Sequence, residues 1–235
     1  MALAQAGAAA SGATAYVTLE PCAHDSERGP ACTDLLIESG VARVVVAISD
    51  PDPRTAGKGL ARLEAAGIDV ATGVLTGEAR RTMAGFLSRQ ALGRPHVTLK
   101  LGLSLDGRIA LADGTSRWIT GDRARAHAHL ERARCDAILV GGGTLRADRP
   151  RLDVRLPGVE DRSPERVLLT RGEAPDGWTR IAAPEDIATL DANWLLVEGG
   201  AETAAAFLAA NLVDRLLLYR APILIGAGKA ALGDI

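Results

Sequence analysis

Short apolar runs that suit buried strands alternate with amphipathic stretches along this chain. Segments 13–19 and 42–48 are rich in strand formers, and the amphipathic stretch 33–39 between them stops at Gly40. This alternation recurs to the end of the chain and implies α/β folding with largely parallel sheets. Further strands are predicted at 68–72, 97–103, 137–140, 167–170, 194–197 and 213–219. Helices are predicted at 1–10, 59–66, 77–92 and 122–133, and in the Ala-rich stretch that ends near 210.

The length of 235 residues accommodates one large domain or two small ones. The helical pattern of the first part ends at Gly93-Arg94-Pro95, and a new strand opens at residue 97. The sequence therefore predicts two domains, 1–93 and 94–235.

Composition excludes several classes of partner. Lys and Arg number 27 against 29 Asp and Glu, the net charge is -2, and no segment concentrates basic residues as a phosphate-backbone binder requires. No apolar run reaches the roughly 18 residues that span a bilayer, and the first residues lack the basic start of a secretory signal. These observations predict a cytoplasmic protein that binds neither nucleic acid nor a membrane.

Two of the three cysteines lie close together after the strand 13–19. Cys22 follows Pro21, and Cys32 stands where the next helix begins, so both thiolates can face one ion. A helix N-terminus favours a thiolate, and zinc bound by Cys and His keeps a position open for water. Zinc nucleobase deaminases carry a Pro-Cys followed by a second Cys at shorter spacing. The alternative is that these thiols, like Cys135 before a buried strand, are small buried side chains.

Glycine-rich turns follow two of the predicted strands. Glu198-Gly199-Gly200 lies between a buried strand and a helix whose first N–H groups are unpaired, so a dinucleotide phosphate could approach the backbone there. The turn Gly141-Gly142-Gly143-Thr144 repeats this arrangement, with a hydroxyl able to bond a phosphate or ribose. Alternatively, the glycines serve tight packing. The Rossmann fingerprint G-x-G-x-x-G is not found.

Motifs in both halves carry a more specific signal. The first half contains GATAYVTLEPCAH and GPACTDLLIESGVARVVVAISDPDP, and the second contains RPHVTLKLGLSLDGRIA, SRWITG, RARCDAILVGGGTLRADRPRLDVR and LLVEGGAETAAAFLAANLVDRLLLYRAPILIGAG. In this order they resemble the bifunctional deaminase/reductases of riboflavin biosynthesis. The resemblance implies a cytidine-deaminase-like three-layer α/β/α domain followed by a dihydrofolate-reductase-like α/β domain, with Zn2+ and NADPH as cofactors.

The resemblance also implies roles for single residues. Cys22 and Cys32 correspond to metal ligands, and Lys100 and Glu198 are the catalytic candidates, with Lys100 helping the ribose to open. NADPH-contact positions are Gly102, Trp118, Thr144, Asp148, Arg171, Gly200, Ala201, Glu202, Thr203, Ala204, Ala205 and Ala206. Substrate positions are Ser116, Arg132, Leu152, Arg155 and Glu198. Forked donors on Arg132 and Arg155 are expected to grip the ribose phosphate, although a helical Arg132 could equally be a solvated surface charge.

The chain departs from the family's pattern in three places. The family's zinc-binding His and proton-transferring Glu form a His-Ala-Glu on the first helix, whereas none of the four histidines here precedes Cys22. Arg149 stands where the family usually has a second Asp, and the family's reductase domain continues well beyond Ile235. The resemblance therefore implies truncation at both ends, either as a fragment of a longer protein or as a protein that has lost its deaminase site.

By resemblance, the complete enzyme deaminates 2,5-diamino-6-(5-phosphoribosylamino)pyrimidin-4(3H)-one and then reduces the ribosyl group with NADPH, giving 5-amino-6-(5-phosphoribitylamino)uracil. Its partner is a small-molecule phosphoribosylaminopyrimidine, and the frequent oligomerisation of the family leaves a homo-oligomer open. Two alternatives stand beside this hypothesis. One is a chain active only as the reductase, with an inactive structural deaminase remnant, and the other is a non-catalytic module that binds nucleotide or pyrimidine.

Overall fold

The computed structural model describes residues 2–27, 29–116 and 119–233. Contacts within the chain divide it into two compact units, Met1–Ala91 and Leu92–Ile235. Each unit has its own parallel sheet and its own buried apolar cluster, so the α/β class predicted from the alternation is confirmed. Within the described ranges, no helix is both long and apolar enough to cross a membrane.

The first unit is built on a parallel sheet with its second strand in the centre. The strands are β1 Thr14–Leu19, β2 Arg43–Ile48 and β3 Asp69–Thr72, in the order β1-β2-β3. The helices are α1 Ala2–Ala6, α2 Cys32–Glu38, α3 Lys58–Ala65, α4 Thr76–Thr82 and α5 Ala84–Leu92, with a 3-10 helix over Gly7–Ala10. Val44 and Val46 of β2 share one buried cluster with Leu36 of α2 and Leu63 of α3, since alternate strand residues face the same side.

The second unit contains a larger parallel sheet. Its strands are β4 His96–Leu103, β6 Ala137–Gly141, β7 Glu165–Leu169, β8 Thr179–Ile181, β9 Trp194–Val197 and β10 Arg215–Arg220, in the order β10-β4-β9-β6-β7-β8. Two short strands, β5 Arg108–Ala110 and β11 Lys229–Ala230, pair antiparallel. The helices are α6 Asp122–Ala133, α7 Gly142–Asp148 and α8 Ala201–Ala209, with a 3-10 helix over Pro184–Thr189.

Helices cover both faces of this larger sheet. Leu99 and Leu139 belong to the cluster that contains Phe207 of α8, whereas Ile138 belongs to the cluster that Leu145 of α7 contacts. Neighbouring residues of one strand thus point into different clusters. A parallel sheet buried on both faces is the reason why these strands read as continuous apolar runs in the sequence.

The structure corrects several predicted elements. The predicted helix 77–92 is two helices that break at Met83, and the predicted helix 1–10 continues beyond Ala6 only as a 3-10 turn. The apolar pattern gives no sign of α7, β5, β8 or β11. Two glycines open α7 and lower its helix propensity. The three strands have only 3, 3 and 2 residues, too few for a periodic pattern to show.

Asp214, just before β10, ties the start of that strand to the start of β4. Its carboxylate accepts hydrogen bonds from the Arg94 guanidinium at 2.7 and 2.9 Å and from the Val97 backbone N–H at 2.8 Å. Burial raises the pKa of Asp214, but the hydrogen bonds from Arg94 and Val97 outweigh it and lower this pKa below its ordinary value. Because bidentate, charge-assisted hydrogen bonds are strong, this contact aligns the two strands.

Replacing Asp214 by Asn should lower the free energy of unfolding by about 1–3 kcal/mol at neutral pH, because the Arg94 fork loses its charged acceptor. Folding lowers the pKa of this carboxyl group, so its charged form stabilises the folded state at every pH above its unfolded pKa. This stabilisation is lost as the pH falls through the lower pKa of the folded state. The difference between variant and wild type should therefore shrink toward acid pH. Urea unfolding followed by circular dichroism measures it, with the exposed Asp191→Asn as control. Equal unfolding midpoints for both variants would contradict the prediction.

Candidate functional site

The cysteine loop of the first unit places its two thiols side by side. Cys32 is the first residue of α2, and its backbone N–H donates to Cys22 Sγ at 3.2 Å. The backbone N–H and the hydroxyl of Thr33 both donate to the Cys22 carbonyl at 3.2 Å. Burial, and then the neighbouring Cys22 thiol, raise the pKa of Cys32. The side chains of Cys22 and Cys32 are therefore close enough to serve one ion.

A zinc site needs ligands beyond these two thiols. Among residues 2–27, 29–116 and 119–233, no three His, Cys, Asp or Glu side chains gather into a group that could hold a metal. His24, in the same loop, has Nδ1 3.3 Å from Thr55 Oγ1. Cys22 and Cys32 fit two of the four positions around tetrahedral zinc. Two thiols leave the remaining positions of such an ion to other ligands.

Glu20, directly before Pro21 and Cys22, is buried and organises this loop. Its carboxylate accepts four backbone N–H groups, from Asp50 at 3.2 Å, Gly57 at 3.1 Å, Gly59 at 3.1 Å and Leu60 at 3.3 Å. The backbone of α3 approaches so closely that a Cβ on Gly59 would lie 2.2 Å from the Pro21 carbonyl. The sequence does not reveal this role, because a Glu at the end of a strand gives no local sign of four distant donors.

Replacing Glu20 by Gln should lower the free energy of unfolding of the first unit by about 2–4 kcal/mol. The amide NH2 cannot accept the N–H groups that one carboxylate oxygen receives, so two buried donors lose their partner. Glu38→Gln is the matched control, because Glu38 is exposed on α2. Chemical unfolding of both variants measures the difference, and a Glu20 variant as stable as the control would contradict the assignment.

In the second unit a cleft of about 1030 Å³ opens at the carboxyl ends of the parallel strands. Lys100 and Gly102 of β4, the turn that follows β6, and Glu198 after β9 line it. Parallel strands present their carboxyl ends at one edge of the sheet, where α/β proteins form ligand sites. The sheet topology thus brings together residues that are far apart in the sequence.

Glu198 is buried at the base of this cleft between two cationic partners. Arg132 Nε donates to Oε1 at 2.7 Å and Arg132 Nη2 donates to Oε2 at 2.9 Å, while Lys100 Nζ lies 3.6 Å from Oε2. Burial raises the pKa of Glu198, but the hydrogen bonds from Arg132 and the charge of Lys100 outweigh it and lower this pKa below its ordinary value. Glu198 is therefore a carboxylate at neutral pH.

Arg132 lies in a largely buried environment, unlike the solvated surface position that its place on a helix allowed. Its side chain is only 14% exposed, so it is not a solvated surface charge. Its Nη1 donates to the carbonyl of Asp153 at 3.1 Å, and the rest of the fork is bound to Glu198. Three of the five N–H donors of Arg132 are thus engaged within the protein, whereas the Arg155 side chain is 56% exposed; the phosphate contacts of both residues stay predictions.

Two of the glycines make room for Thr203 of α8. A Cβ on Gly141 would lie 2.2 Å from Thr203 Oγ1, and one on Gly199 would lie 2.4 Å from Thr203 Cβ. By contrast, a Cβ on Gly143 would meet no atom within 4 Å. Tight packing therefore explains Gly141 and Gly199, whereas Gly143 leaves open space on the cleft wall.

Replacing Gly199 by Ala should cost about 1–3 kcal/mol of unfolding free energy, because the new Cβ overlaps Thr203. Gly143→Ala is the matched control: it lies in α7, meets open space and should be neutral or stabilising by up to about 1 kcal/mol. Thermal or urea unfolding distinguishes the two variants. A Gly199 variant with unchanged stability would show that α8 can move away from the sheet.

Most residues assigned by resemblance line this one cleft. They are Lys100, Gly102, Ser116, Arg132, Thr144, Asp148, Leu152, Arg155, Glu198, Gly200, Ala201, Glu202, Thr203 and Ala206. Ala204 and Ala205 are buried and are not among the described residues that line it, and the exposed Arg171 beyond β7 is not among them either. Trp118 lies outside the described residues.

The cleft also contains residues that the sequence analysis did not single out. They include Thr120, Arg125, His129, Arg151 and Lys229. Helical periodicity counted back from Arg132 would have found Arg125 and His129, because positions three and seven residues earlier lie on the same face of α6. No local signal points to Lys229, which reaches the cleft through the pairing of β11 with β5.

Asp106, in the turn that follows β4, has partners on a distant loop. Its carboxylate accepts hydrogen bonds from the Ser104 hydroxyl at 2.6 Å and from the backbone N–H groups of Gly226 at 2.7 Å and Ile225 at 3.1 Å. Hydrogen bonds from Ser104, Gly226 and Ile225 lower the pKa of Asp106 to about 2. The carboxylate thus fastens the loop after β10 to the end of β4.

Arg149, the departure noted in the sequence, ends α7 in the left-handed region with φ 42°. Asp and Asn adopt this conformation more readily than other side chains, so the family's usual second Asp suits the position better than Arg. The neighbouring Asp148 and Arg149 itself both line the cleft.

Comparisons with known proteins agree with this arrangement. The family model of the RibD C-terminal domain matches residues 95–190 and 182–235, and that of the cytidine and deoxycytidylate deaminase zinc-binding region matches residues 1–48. Riboflavin biosynthesis protein RibD of Escherichia coli K12 is 40% identical over 280 residues, covering 98% of this chain and 76% of that protein. A structure of Acinetobacter baumannii RibD is 36% identical with a TM-score of 0.90, covering 100% of this chain and 76% of the other. A Thermotoga maritima diaminohydroxyphosphoribosylaminopyrimidine deaminase/5-amino-6-(5-phosphoribosylamino)uracil reductase is 32% identical with a TM-score of 0.85, covering 96% and 73%.

Proposed function

The chain belongs to the RibD family of riboflavin-biosynthesis enzymes, and from this we propose that residues 1–93 form its deaminase part and residues 94–235 its reductase part. The division of the compact units between Ala91 and Leu92 supports this boundary. The cofactors of the two domains are Zn2+ and NADPH. We place the enzyme in the cytoplasm. A homo-oligomer stays a prediction.

The two reactions are successive: the first hydrolyses the diamino substrate with release of ammonia, and the second acts on the resulting phosphoribosylaminouracil. The first removes the 2-amino group of 2,5-diamino-6-(5-phosphoribosylamino)pyrimidin-4(3H)-one, and the second reduces the ribosyl group to give 5-amino-6-(5-phosphoribitylamino)uracil. We assign the second reaction to the cleft of the second unit. NADPH, when bound there, supplies the hydride for the ribosyl C1′.

The residues of the cleft suit a dinucleotide. Gly143 leaves space that a Cβ would fill, and the first turn of α8 offers backbone N–H groups to a phosphate. Thr144 Oγ1 accepts the N–H of Gly200 at 3.1 Å, which leaves the hydroxyl proton of Thr144 for an acceptor on the cofactor. Gly102 and Asp148 line the same space. We therefore assign the cofactor to this wall.

The contact of Lys100 with Glu198 is the observation that carries the reductase assignment. Glu198 gives the Lys100 ammonium a negative partner at 3.6 Å, and Arg132 holds Glu198 in place with two hydrogen bonds. The ammonium can donate to the ribose ring oxygen and supply a proton as the ring opens to the aldehyde or imine form. Glu198 is in position to accept a hydrogen bond from a substrate hydroxyl. Neither residue needs to form a covalent bond with the substrate.

The phosphate of the substrate is assigned to Arg155. Its guanidinium is exposed at the cleft wall, and its Nε lies 3.3 Å from Asp153 Oδ1, which orients it. Ser116 and Leu152, the other positions implied by the resemblance, line the same cleft. A planar guanidinium suits the geometry of a phosphate dianion.

Replacing Lys100 by Met should lower kcat for NADPH oxidation by about 10²- to 10⁴-fold, the usual contribution of a positioned proton donor. The assay follows NADPH absorbance with 5-amino-6-(5-phosphoribosylamino)uracil as substrate. Lys58→Met is the control, because Lys58 is exposed in the first unit. If the Lys100 variant kept the wild-type kcat, the proton-donor role would be wrong.

The zinc content of the protein distinguishes the bifunctional enzyme from the alternative, a reductase with an inactive deaminase remnant. If Cys22 and Cys32 are ligands, Cys22→Ser should abolish zinc binding and ammonia release from the diamino substrate, and should leave NADPH oxidation intact. Metal analysis and an ammonia assay measure both effects. A wild-type chain that oxidises NADPH, retains no zinc and releases no ammonia would support the alternative. The observation that favours this alternative is that the described residues include no third ligand near Cys22 and Cys32.

A further inference from the structure

His129 stands one turn before Arg132 on α6, and both side chains line the cleft. His129 Nδ1 accepts the backbone N–H of Arg155 at 3.2 Å. Arg132 Nη1 donates to the backbone carbonyl of Asp153 at 3.1 Å. One face of α6 therefore binds the main chain of segment 153–155: His129 is the acceptor and Arg132 is the donor.

The loop that leads into this segment has an unfavourable backbone. Arg149 and Leu152 have φ values of 42° and 58°, in the left-handed region that side chains rarely adopt. Leu152 is nevertheless buried, with 2% of its surface exposed. Such conformations persist only where surrounding contacts outweigh their cost. The hydrogen bonds from α6 are among those contacts.

We propose that His129 is a positioning residue for the phosphate end of the substrate, acting through Arg155. This inference rests on the proposed function of the cleft. By accepting the main-chain N–H of Arg155, the ring determines where that guanidinium enters the cleft. Glu198 and the Asp153 carbonyl already engage three of the five N–H donors of Arg132. The Arg155 side chain, by contrast, is exposed at the cleft wall.

The role requires an unprotonated ring, because only a bare Nδ1 can accept an N–H. The charged groups that act on the ring are Arg132 on α6, Arg155 in the held segment and Glu198 beyond β9. Burial, and then the charges of Arg132 and Arg155, lower the pKa of His129, and they outweigh the charge of Glu198 and a hydrogen bond with the Asp153 backbone, which raise it. The ring is therefore neutral at physiological pH. It loses its acceptor only at acid pH, when a protonated Nδ1 would face the N–H of Arg155.

Ribose 5-phosphate is the probe that tests this arrangement without requiring turnover. We would measure its dissociation constant by calorimetry on the full chain, together with KM and kcat for NADPH oxidation. His129→Ala should weaken ribose 5-phosphate binding and raise KM by about 3- to 10-fold, the effect of one lost hydrogen bond, with kcat nearly unchanged. His129→Asn carries a side-chain oxygen near the place of Nδ1 and should restore wild-type binding. His127→Asn, on the same helix, is the comparison variant: His127 Nδ1 lies 2.7 Å from the Tyr219 hydroxyl, and among the described residues no hydrogen bond joins it to Arg155, so ribose 5-phosphate binding should stay unchanged.

The pH dependence provides the second readout. The ratio of the wild-type to the His129→Asn dissociation constant should stay near one above the ordinary pKa range of histidine and rise as the pH falls through the lowered pKa of His129, since Asn does not titrate. Taking the ratio cancels the protonation of the phosphate itself. A flat ratio, or an Asn variant that binds as weakly as the Ala variant, would overturn the proposal. Absence of NADPH oxidation in the wild type, with these binding effects intact, would count against the reductase assignment alone.

Discussion

The buried carboxylate of Glu198 is the constraint on which the cleft of the second unit depends. A charge excluded from water is tolerated only when paired and hydrogen-bonded, and losing one partner of such a pair typically costs about 3–5 kcal/mol. Arg132 supplies two hydrogen bonds from α6, and Lys100 supplies a second positive charge from β4. The third nitrogen of the same guanidinium reaches the carbonyl of Asp153. One buried charge thus links the end of β9 to a helix, a neighbouring strand and the loop that carries Arg155.

The parallel sheet explains why these groups meet. β9 lies between β4 and β6, so the ends of these three strands are adjacent at one edge of the sheet. Polar residues placed just beyond them face a common space, while the strands themselves stay apolar and buried. The glycines at this edge have two different uses. Gly141 and Gly199 let α8 approach through Thr203, and Gly143 keeps the cleft wall open.

Much of the fold and many of the site residues were predictable from the sequence. The apolar runs and glycine stops gave the α/β class and the longer strands, and α6 has the predicted bounds, Asp122–Ala133. The quoted motifs pointed to residues that mostly line one cleft. Other features have physical reasons that the sequence does not show. The resemblance assigns the whole range 200–206 to NADPH, whereas the helix turns Ala204 and Ala205 toward the core, so the assignment of these two residues stays a prediction. His129 is marked in the sequence only by its helical spacing from Arg132, and its hydrogen bond with Arg155 depends on the tertiary structure.

The sequence by itself determined which segments become strands and helices, which family the chain resembles and which chemical groups are present. These depend on local periodicity and on residue type, which can be read along the chain. Only the tertiary structure decided how those groups are used: that the Arg132 fork binds Glu198, that Glu20 collects four backbone N–H groups, and that His129 holds Arg155. Hydrogen bonding and burial depend on partners far apart in the sequence, and their positions exist only once the sheets have formed.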